Sequence, residues 1–131
     1  MSLPDPTVIV GVQDLFARYA HTIDRRDFDA FADLFTEDAN LAVGDAGAAG
    51  RGAIREFMVG IMKNPGGAHI ITNVSARPTA DGRYTVIADY LLTRRAEGDG
   101  PWAVVGVGIY ESTVVSDDGA WRFAAHRIAA R

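Results

Sequence analysis

An imidazole whose one nitrogen is held by a carboxylate keeps the other nitrogen free to accept a proton, and Asp24 and His69 are residues of the right types for that use. Asp24 falls where a helix should be ending. A carboxylate there meets the negative end of the helix dipole, at a cost of about 0.3–1 kcal/mol. One reading makes Asp24 a turn or capping residue paired with Arg25 or Arg26. The other makes it the partner of a histidine from the sheet, fixing the tautomer that leaves the outer nitrogen free as a base. His69 opens the first long strand, where period two puts it on the face of Ile71 and Asn73, opposite Ile70, Thr72 and Val74. A lone histidine at a strand start is usually structural. The chemical alternative makes His69 the base and gives Asn73 a part in positioning substrate. Tyr19 lies in the middle of an apolar helical stripe, as a packed core tyrosine would, and its hydroxyl needs a partner if buried. Its functional reading aims that hydroxyl into a cavity, to donate to a carbonyl or a developing enolate.

Asp89 stands inside Thr85-Val86-Ile87-Ala88-Asp89-Tyr90-Leu91-Leu92, with apolar neighbours on both sides. A buried unpaired charge is expensive, so this acid is either bonded to a cation, with Arg127 and His126 as the candidates, or held neutral. Arg127 and His126 are adjacent on the last strand, so only one of them faces a pocket. An ion pair from Arg127 to Asp89 or Glu111 competes with substrate binding as its role. The loop Gly44-Asp45-Ala46-Gly47-Ala48-Ala49-Gly50 has the glycines of a dinucleotide fingerprint but neither its spacing nor its βαβ context. The three histidines, His21, His69 and His126, show no i, i+4 or His-x-His spacing, which argues against a zinc or iron site. No Gly-x-Ser-x-Gly elbow and no P-loop occurs. No metal and no cofactor is expected.

These residues need elements to hold them. Val8, Val12, Leu15, Phe16, Tyr19 and Ile23 recur at steps of three and four and predict a helix over about residues 7–23. Asp27 can cap a second helix that buries Phe28, Phe31, Leu34 and Phe35. A short strand at 40–43 and the Gly-rich loop 44–52 lead to a third helix with Ile54, Phe57, Met58, Ile61 and Met62 on its apolar side, ended by Asn64-Pro65-Gly66-Gly67. The period then changes to two over four segments, 69–77, 83–95, 102–115 and 120–129, whose connections carry Asp81-Gly82, Gly98-Asp99-Gly100-Pro101 and Asp118-Gly119. Helices followed by a β-meander read as α+β. The second and third of these segments are apolar on both faces in their middles, which suits a sheet covered by helices on one side and by a second subunit on the other. A homodimer is therefore expected.

Length and charge narrow the possibilities further. At 131 residues, nearly half of them apolar, the chain has material for one core and reads as a single domain over 1–131 with a loose tail at 1–6. The net charge of −4 is made of both signs scattered along the chain, with no basic stripe for nucleic acid or an anionic membrane. Cysteine is absent, which removes disulfides and thiolate chemistry. The start carries no basic and apolar leader pattern, and no run approaches the ~18 apolar residues of a membrane helix. A cytoplasmic location is expected.

The stretch from Arg18-Tyr19-Ala20-His21-Thr22-Ile23-Asp24-Arg25-Arg26-Asp27-Phe28 to Leu34-Phe35-Thr36-Glu37-Asp38-Ala39 resembles the opening of SnoaL-like domains, of the nuclear-transport-factor-two-like superfamily. Gly50-Arg51-Gly52-Ala53-Ile54-Arg55-Glu56-Phe57, His69-Ile70-Ile71-Thr72-Asn73-Val74, Gly108-Ile109-Tyr110-Glu111, Trp121-Arg122-Phe123 and Arg127-Ile128 continue the resemblance in order over nearly the whole chain. It implies a cone-shaped α+β barrel, three N-terminal helices packed on a strongly curved, mostly antiparallel sheet, with an enclosed pocket. Its members include polyketide cyclases, scytalone and bile-acid dehydratases, ketosteroid isomerase and plain binding domains, so fold does not settle chemistry. The His-x-x-Thr-Asn pattern matches the histidine that is catalytic in the family, and the spacing of Tyr19 and Asp24 matches its motif. The aspartate matching Asp24 orients that histidine in dehydratase-like members, and a tyrosine takes the oxyanion role in ketosteroid isomerase. An aspartate on the strand of Asp89 resembles bile-acid dehydratase and departs from scytalone dehydratase, which has a second histidine there. Arg127 fits the family pattern better than His126 as the pocket-facing residue. The Asp-Arg-Asp arrangement of limonene-epoxide hydrolases has no convincing match. The resemblance implies a cofactor-independent dehydratase or double-bond isomerase acting on a hydrophobic polyketide-, aromatic- or steroid-like substrate, with His69, Asp24 and Tyr19 catalytic and Asn73, Asp89 and Arg127 binding substrate. The alternative is a non-catalytic small-molecule-binding module with the same cavity.

Overall fold

Asp5 caps the first helix by accepting the amide of Val8 at 3.2 Å, and the fixed φ of Pro6 suits its first turn, so α1 runs over Pro6–Asp24. The computed structural model describes residues 4–131. The tail expected at 1–6 is thus helical or capping at its last two residues, and its first three lie outside the described residues. α1 buries Val8, Val12, Leu15, Phe16, Tyr19 and Ile23, the stripe that the helical spacing marks. Asp27 accepts the amide of Ala30 and starts the short α2, Phe28–Ala32. β1 (Phe35–Val43) begins five residues earlier than the apolar pattern suggests, β2 (Ala46–Ala49) folds back on it where a loop is expected, and α3 covers Arg51–Ile61. The meander follows as β3 (Gly67–Pro78), β4 (Tyr84–Arg95), β5 (Trp102–Asp117) and β6 (Ala120–Ala130).

The six strands form one sheet in the order β2-β1-β6-β5-β4-β3, in which only β1 and β6 run parallel. Burial separates its faces. On β4 and β5, Val86, Ala88, Tyr110, Ser112 and Val114 are buried under the helices, while Thr85, Ile87 and Glu111 are exposed on the outer side. The inner face meets α1 and α2 in an aromatic core of Phe16, Tyr19, Phe31, Phe35, Tyr110 and Phe123. Gly11 sits where a Cβ would stand 2.2 Å from the Trp121 indole, so its lack of a side chain lets α1 lie close on β6.

Two of the sheet's bulges decide which way the candidate residues of β3 and β6 look. Thr72 pairs with Asp89 and Ser75 with Ile87, so Asn73 and Val74 together oppose Ala88, and Asn73 takes the left-handed φ of 54° that such a bulge uses. On β6, Phe123 pairs with Val114 and Ala125 with Thr113, leaving Ala124 as the extra residue. Strict alternation fails at both places.

Candidate functional site

The C-terminal end of α1 meets the start of β3 at one hydrogen-bonded pair. His69 Nδ1 lies 2.7 Å from Asp24 Oδ1, with the two side chains 10% and 20% exposed. A carboxylate only accepts, so Nδ1 carries the hydrogen and Nε2 keeps its lone pair. The same carboxylate accepts the backbone N–H of His69, at 3.0 Å to Oδ2 and 3.2 Å to Oδ1. Three contacts to one acid fix both the backbone and the ring of the histidine. Asp24 pairs with neither Arg25 nor Arg26. The Arg26 guanidinium instead donates to the carbonyl of Met62 at the end of α3, tying the turn after α1 to that helix.

His69 opens onto a cleft of about 450 Å³ between α1 and β3. Phe16, Ala17, Ala20, Ile71 and Val74 are among its apolar lining, and Gln13, His21, His69, Thr72 and Asn73 are its polar members. An apolar hollow with few polar groups is the usual form of a small-molecule site.

Tyr19 does not line this cleft. It is 1% exposed, packed edge-on against Tyr110 and Phe123, and its hydroxyl lies 3.1 Å from His126 Nε2. His126 Nδ1 in turn lies 2.7 Å from Ser112 Oγ. Both nitrogens of this histidine are thus satisfied inside the core, and burial lowers its pKa from 6.5 to about 3, keeping it neutral. Burial pushes the Tyr19 and Tyr110 phenols well up for the same reason, since it disfavours the phenolate. The cavity-facing hydroxyl expected of Tyr19 is corrected by this geometry: the hydroxyl is already bonded within the core.

Of the expected substrate-binding residues only Asn73 lines the cleft, and Asp89 and Arg127 lie elsewhere. His126 takes the inner position on β6, while Arg127 is exposed on the outer face, opposite Glu111 in the ladder and with no ion pair among the described residues. Arg127 therefore does not face the interior. Asp89 also faces outward, because its neighbours Ala88 and Tyr90 look into the core. Its cationic partner is Arg131, at 3.2 Å, rather than Arg127 or His126, and it also accepts the Asn73 amide at 2.9 Å. The bulge turns the Asn73 side chain to that outer acid, where simple alternation would keep it beside His69. Sequence reasoning missed Ser112 and Tyr90, which share the inner face with Tyr110 at even positions. Period two would have found them had the inner parity been known. Among the described residues no cluster of histidines and acids is arranged to hold a metal ion, and no helix is long and apolar enough to cross a membrane.

Comparison with known proteins agrees with this architecture. Rv3472 from Mycobacterium tuberculosis, described as of unknown function, superposes with a TM-score of 0.85 at 28% identity, over 95% of this chain and 72% of that one. A candidate scytalone dehydratase from Novosphingobium aromaticivorans gives 0.82 at 23% identity, over 95% and 85%. An NTF2-like protein with a cystatin-like fold from the same organism gives 0.78 at 23%, over 98% and 92%. No curated protein sequence matches significantly. Residues 7–127 match the sequence model of the SnoaL-like domain, and with helices, curved sheet and match in agreement, this chain belongs to the SnoaL-like domain family.

Proposed function

We propose that the chain is a cofactor-independent lyase or isomerase that removes a proton next to a carbonyl of a hydrophobic polyketide-, aromatic- or steroid-like substrate. The observation that carries this reading is the 2.7 Å contact of Asp24 with His69 Nδ1 at the wall of an apolar cleft. His69 Nε2 takes the α-proton, and the C–H electron pair moves into the bond toward the carbonyl carbon as the carbonyl π pair moves to oxygen. Asp24 stabilises the imidazolium that results. In a dehydration the β C–O bond then breaks and the imidazolium returns its proton to the departing hydroxide as water. In an isomerisation the proton returns at another carbon.

The test does not require the natural substrate. A hydrophobic ketone such as 2-tetralone, incubated with the protein in D₂O, should exchange its α-protons faster than buffer allows. His69→Ala should remove that acceleration, a loss of about 100- to 10,000-fold for a positioned base. Equal exchange with and without wild-type protein would overturn the reading.

One observation favours a small-molecule-binding module instead: the Asp24 carboxylate also holds the His69 amide, as a purely structural anchor for β3 would. In that case ketone binds without exchange, and His69→Ala alters neither.

The outer sheet face leaves Ile70, Ile87, Val104 and Val107 about half exposed. That apolar surface supports pairing of two copies through the sheet. Light scattering at micromolar concentration should give twice the 14.0 kDa chain mass. A clean monomer mass counts against the dimer.

A further inference from the structure

The cleft beside His69 does not end at Val74. A second hollow of about 250 Å³ continues it along β3, and the two share Gln13 and Val74 in their walls. Ile9, Gln13, Phe16 and Ala20 recur at steps of three and four on one helical face, so the groove follows α1 for most of its length. Helix and strand run in opposite directions here. Ala20 and His21 stand with His69 at one end of the groove, and Ile9 stands with Arg77 at the other. From Ile9 to His21 the helix rises about 18 Å. β3 is the last strand of the sheet, so no further strand crowds the groove.

The far end differs in character from the end at His69. Arg77 is half-buried there, and its guanidinium donates to the carbonyl of Ala76 at 2.8 Å, which folds the side chain back along β3 at the wall of the second hollow. That bond uses one of the five N–H groups of the guanidinium. Among the described residues no carboxylate pairs with Arg77, and no acid lines either hollow. A partly desolvated cation with no counter-ion favours an anion beside it, and the planar fork of arginine matches a carboxylate with two parallel N–H···O bonds.

We infer that the substrate is an elongated amphiphile whose ketone end reacts at His69 and whose far end carries a carboxylate held by Arg77, which makes Arg77 a specificity-determining residue. The inference rests on the lyase or isomerase reading and narrows its substrate class from any hydrophobic ketone to a long one with an acidic terminus. An extended chain advances about 1.2 Å per bond, as the three backbone bonds of each residue do, so the reacting carbon and the carboxylate stand roughly 12–15 bonds apart along the groove. A compact ketone fills the first hollow alone.

The probe is 8-(2-naphthyl)octanoate, whose ring suits the hollow at His69 and whose tail reaches toward Arg77. Its methyl ester keeps the length without the charge, and 2-naphthoate keeps the charge without the length. Fluorescence titration of wild-type protein should show at least a tenfold preference for the long acid over its ester, the size of a charge-assisted contact. Arg77→Gln should weaken the acid at least tenfold and leave the ester within twofold, and the ester thereby reports that the variant is folded. Arg77→Lys, which keeps the charge, should retain most of the preference. Intermolecular NOEs should place the naphthyl protons near Ile71 and the methylenes beside the carboxylate near Ile9. Equal affinity for acid and ester in wild type, or a preference that survives Arg77→Gln, overturns the role of Arg77 even where the protein exchanges 2-tetralone and the base assignment stands. Failure of the long acid to bind saturably, or the reverse orientation, overturns it too. If 2-naphthoate loses as much as the long acid in Arg77→Gln, Arg77 is an isolated anion site and the spanning substrate is overturned. If wild-type protein exchanges no ketone, the lyase reading fails, while the titrations still decide whether Arg77 holds the carboxylate of a long ligand.

Discussion

Asp24→Asn is expected to lower ketone exchange by about a thousandfold or more while leaving the fold intact, the size of effect seen when an orienting acid becomes an amide. The reason lies in which nitrogen holds the proton. Asp24 accepts at 2.7 Å from Nδ1, which forces the hydrogen onto that nitrogen and exposes the Nε2 lone pair. An amide of the same shape keeps one acceptor oxygen, and the His69 backbone N–H at 3.0–3.2 Å competes for it. The amide NH₂ then faces the ring and favours Nδ1 as an acceptor, so Nε2 carries the hydrogen and is no base. Stability should fall much less, by about 1–2 kcal/mol, the difference between a charged and a neutral acceptor for one part-buried N–H. The measurement that separates positioning from scaffolding is the ¹⁵N shift of the His69 ring. Wild type should show a protonated Nδ1 and the variant a protonated Nε2, with exchange lost in parallel. A variant that keeps the wild-type tautomer and rate removes Asp24 from the chemistry.

That dyad is the part of the site most legible in the sequence, and the reason is local. Asp24 closes a helix with a strong 3.6-residue stripe, and His69 opens a strand after a Pro-Gly-Gly break, so each end is punctuated by its neighbours. The order of elements was legible for the same reason, apart from β2 and the first half of β1. Phe35 to Ala39 mixes buried and exposed residues without clean alternation, and the Gly-rich segment hides a strand whose pairing comes from β1, not from its own residues. The outer parts of the site were not legible, because assigning a face in a strand needs the parity along its whole length. One extra residue at Asn73–Val74 sends Asn73 to Asp89, and one at Ala124 puts Phe123 and His126 on one face although they are three apart. No pattern within either strand shows a bulge, since it is the register with β4 and β5 that creates it. Asp89 is a related case. Its apolar neighbours imply burial by their type alone, but they are divided between an inner face under helices and an outer face that leaves Ile87 half exposed.

His126 carries the second large expectation, a stability that depends on pH through a neutral imidazole. In the folded chain its pKa lies at about 3, lowered by burial among Phe16, Phe35, Tyr110 and Phe123, whereas the unfolded chain titrates near 6.5. A histidine depressed in the fold binds its proton more readily when unfolded. Its contribution is therefore complete above pH 6.5 and lost progressively as pH falls from 6.5 toward about 3. The gap corresponds to on the order of 4–5 kcal/mol at the acid end. For a domain with roughly 5–15 kcal/mol of total stability, that is a large fraction of it. Urea unfolding at steps between pH 7.5 and 4 should show wild-type stability falling with a slope approaching about 1.4 kcal/mol per unit below pH 6. His126→Gln can still bond the Ser112 and Tyr19 hydroxyls but takes up no proton in this range. It should start less stable at pH 7.5 and lose less on acidification, so the two curves converge. Parallel curves would show that His126 is not held neutral by burial. The same core sets an opposite limit at high pH. Tyr19 and Tyr110 are acids whose pKa burial raises, so their contribution is complete below pH 10 and lost as pH climbs above it. Between those limits the Ser112–His126–Tyr19 chain is uncharged, which is what lets a polar relay sit in an aromatic core without a counter-ion.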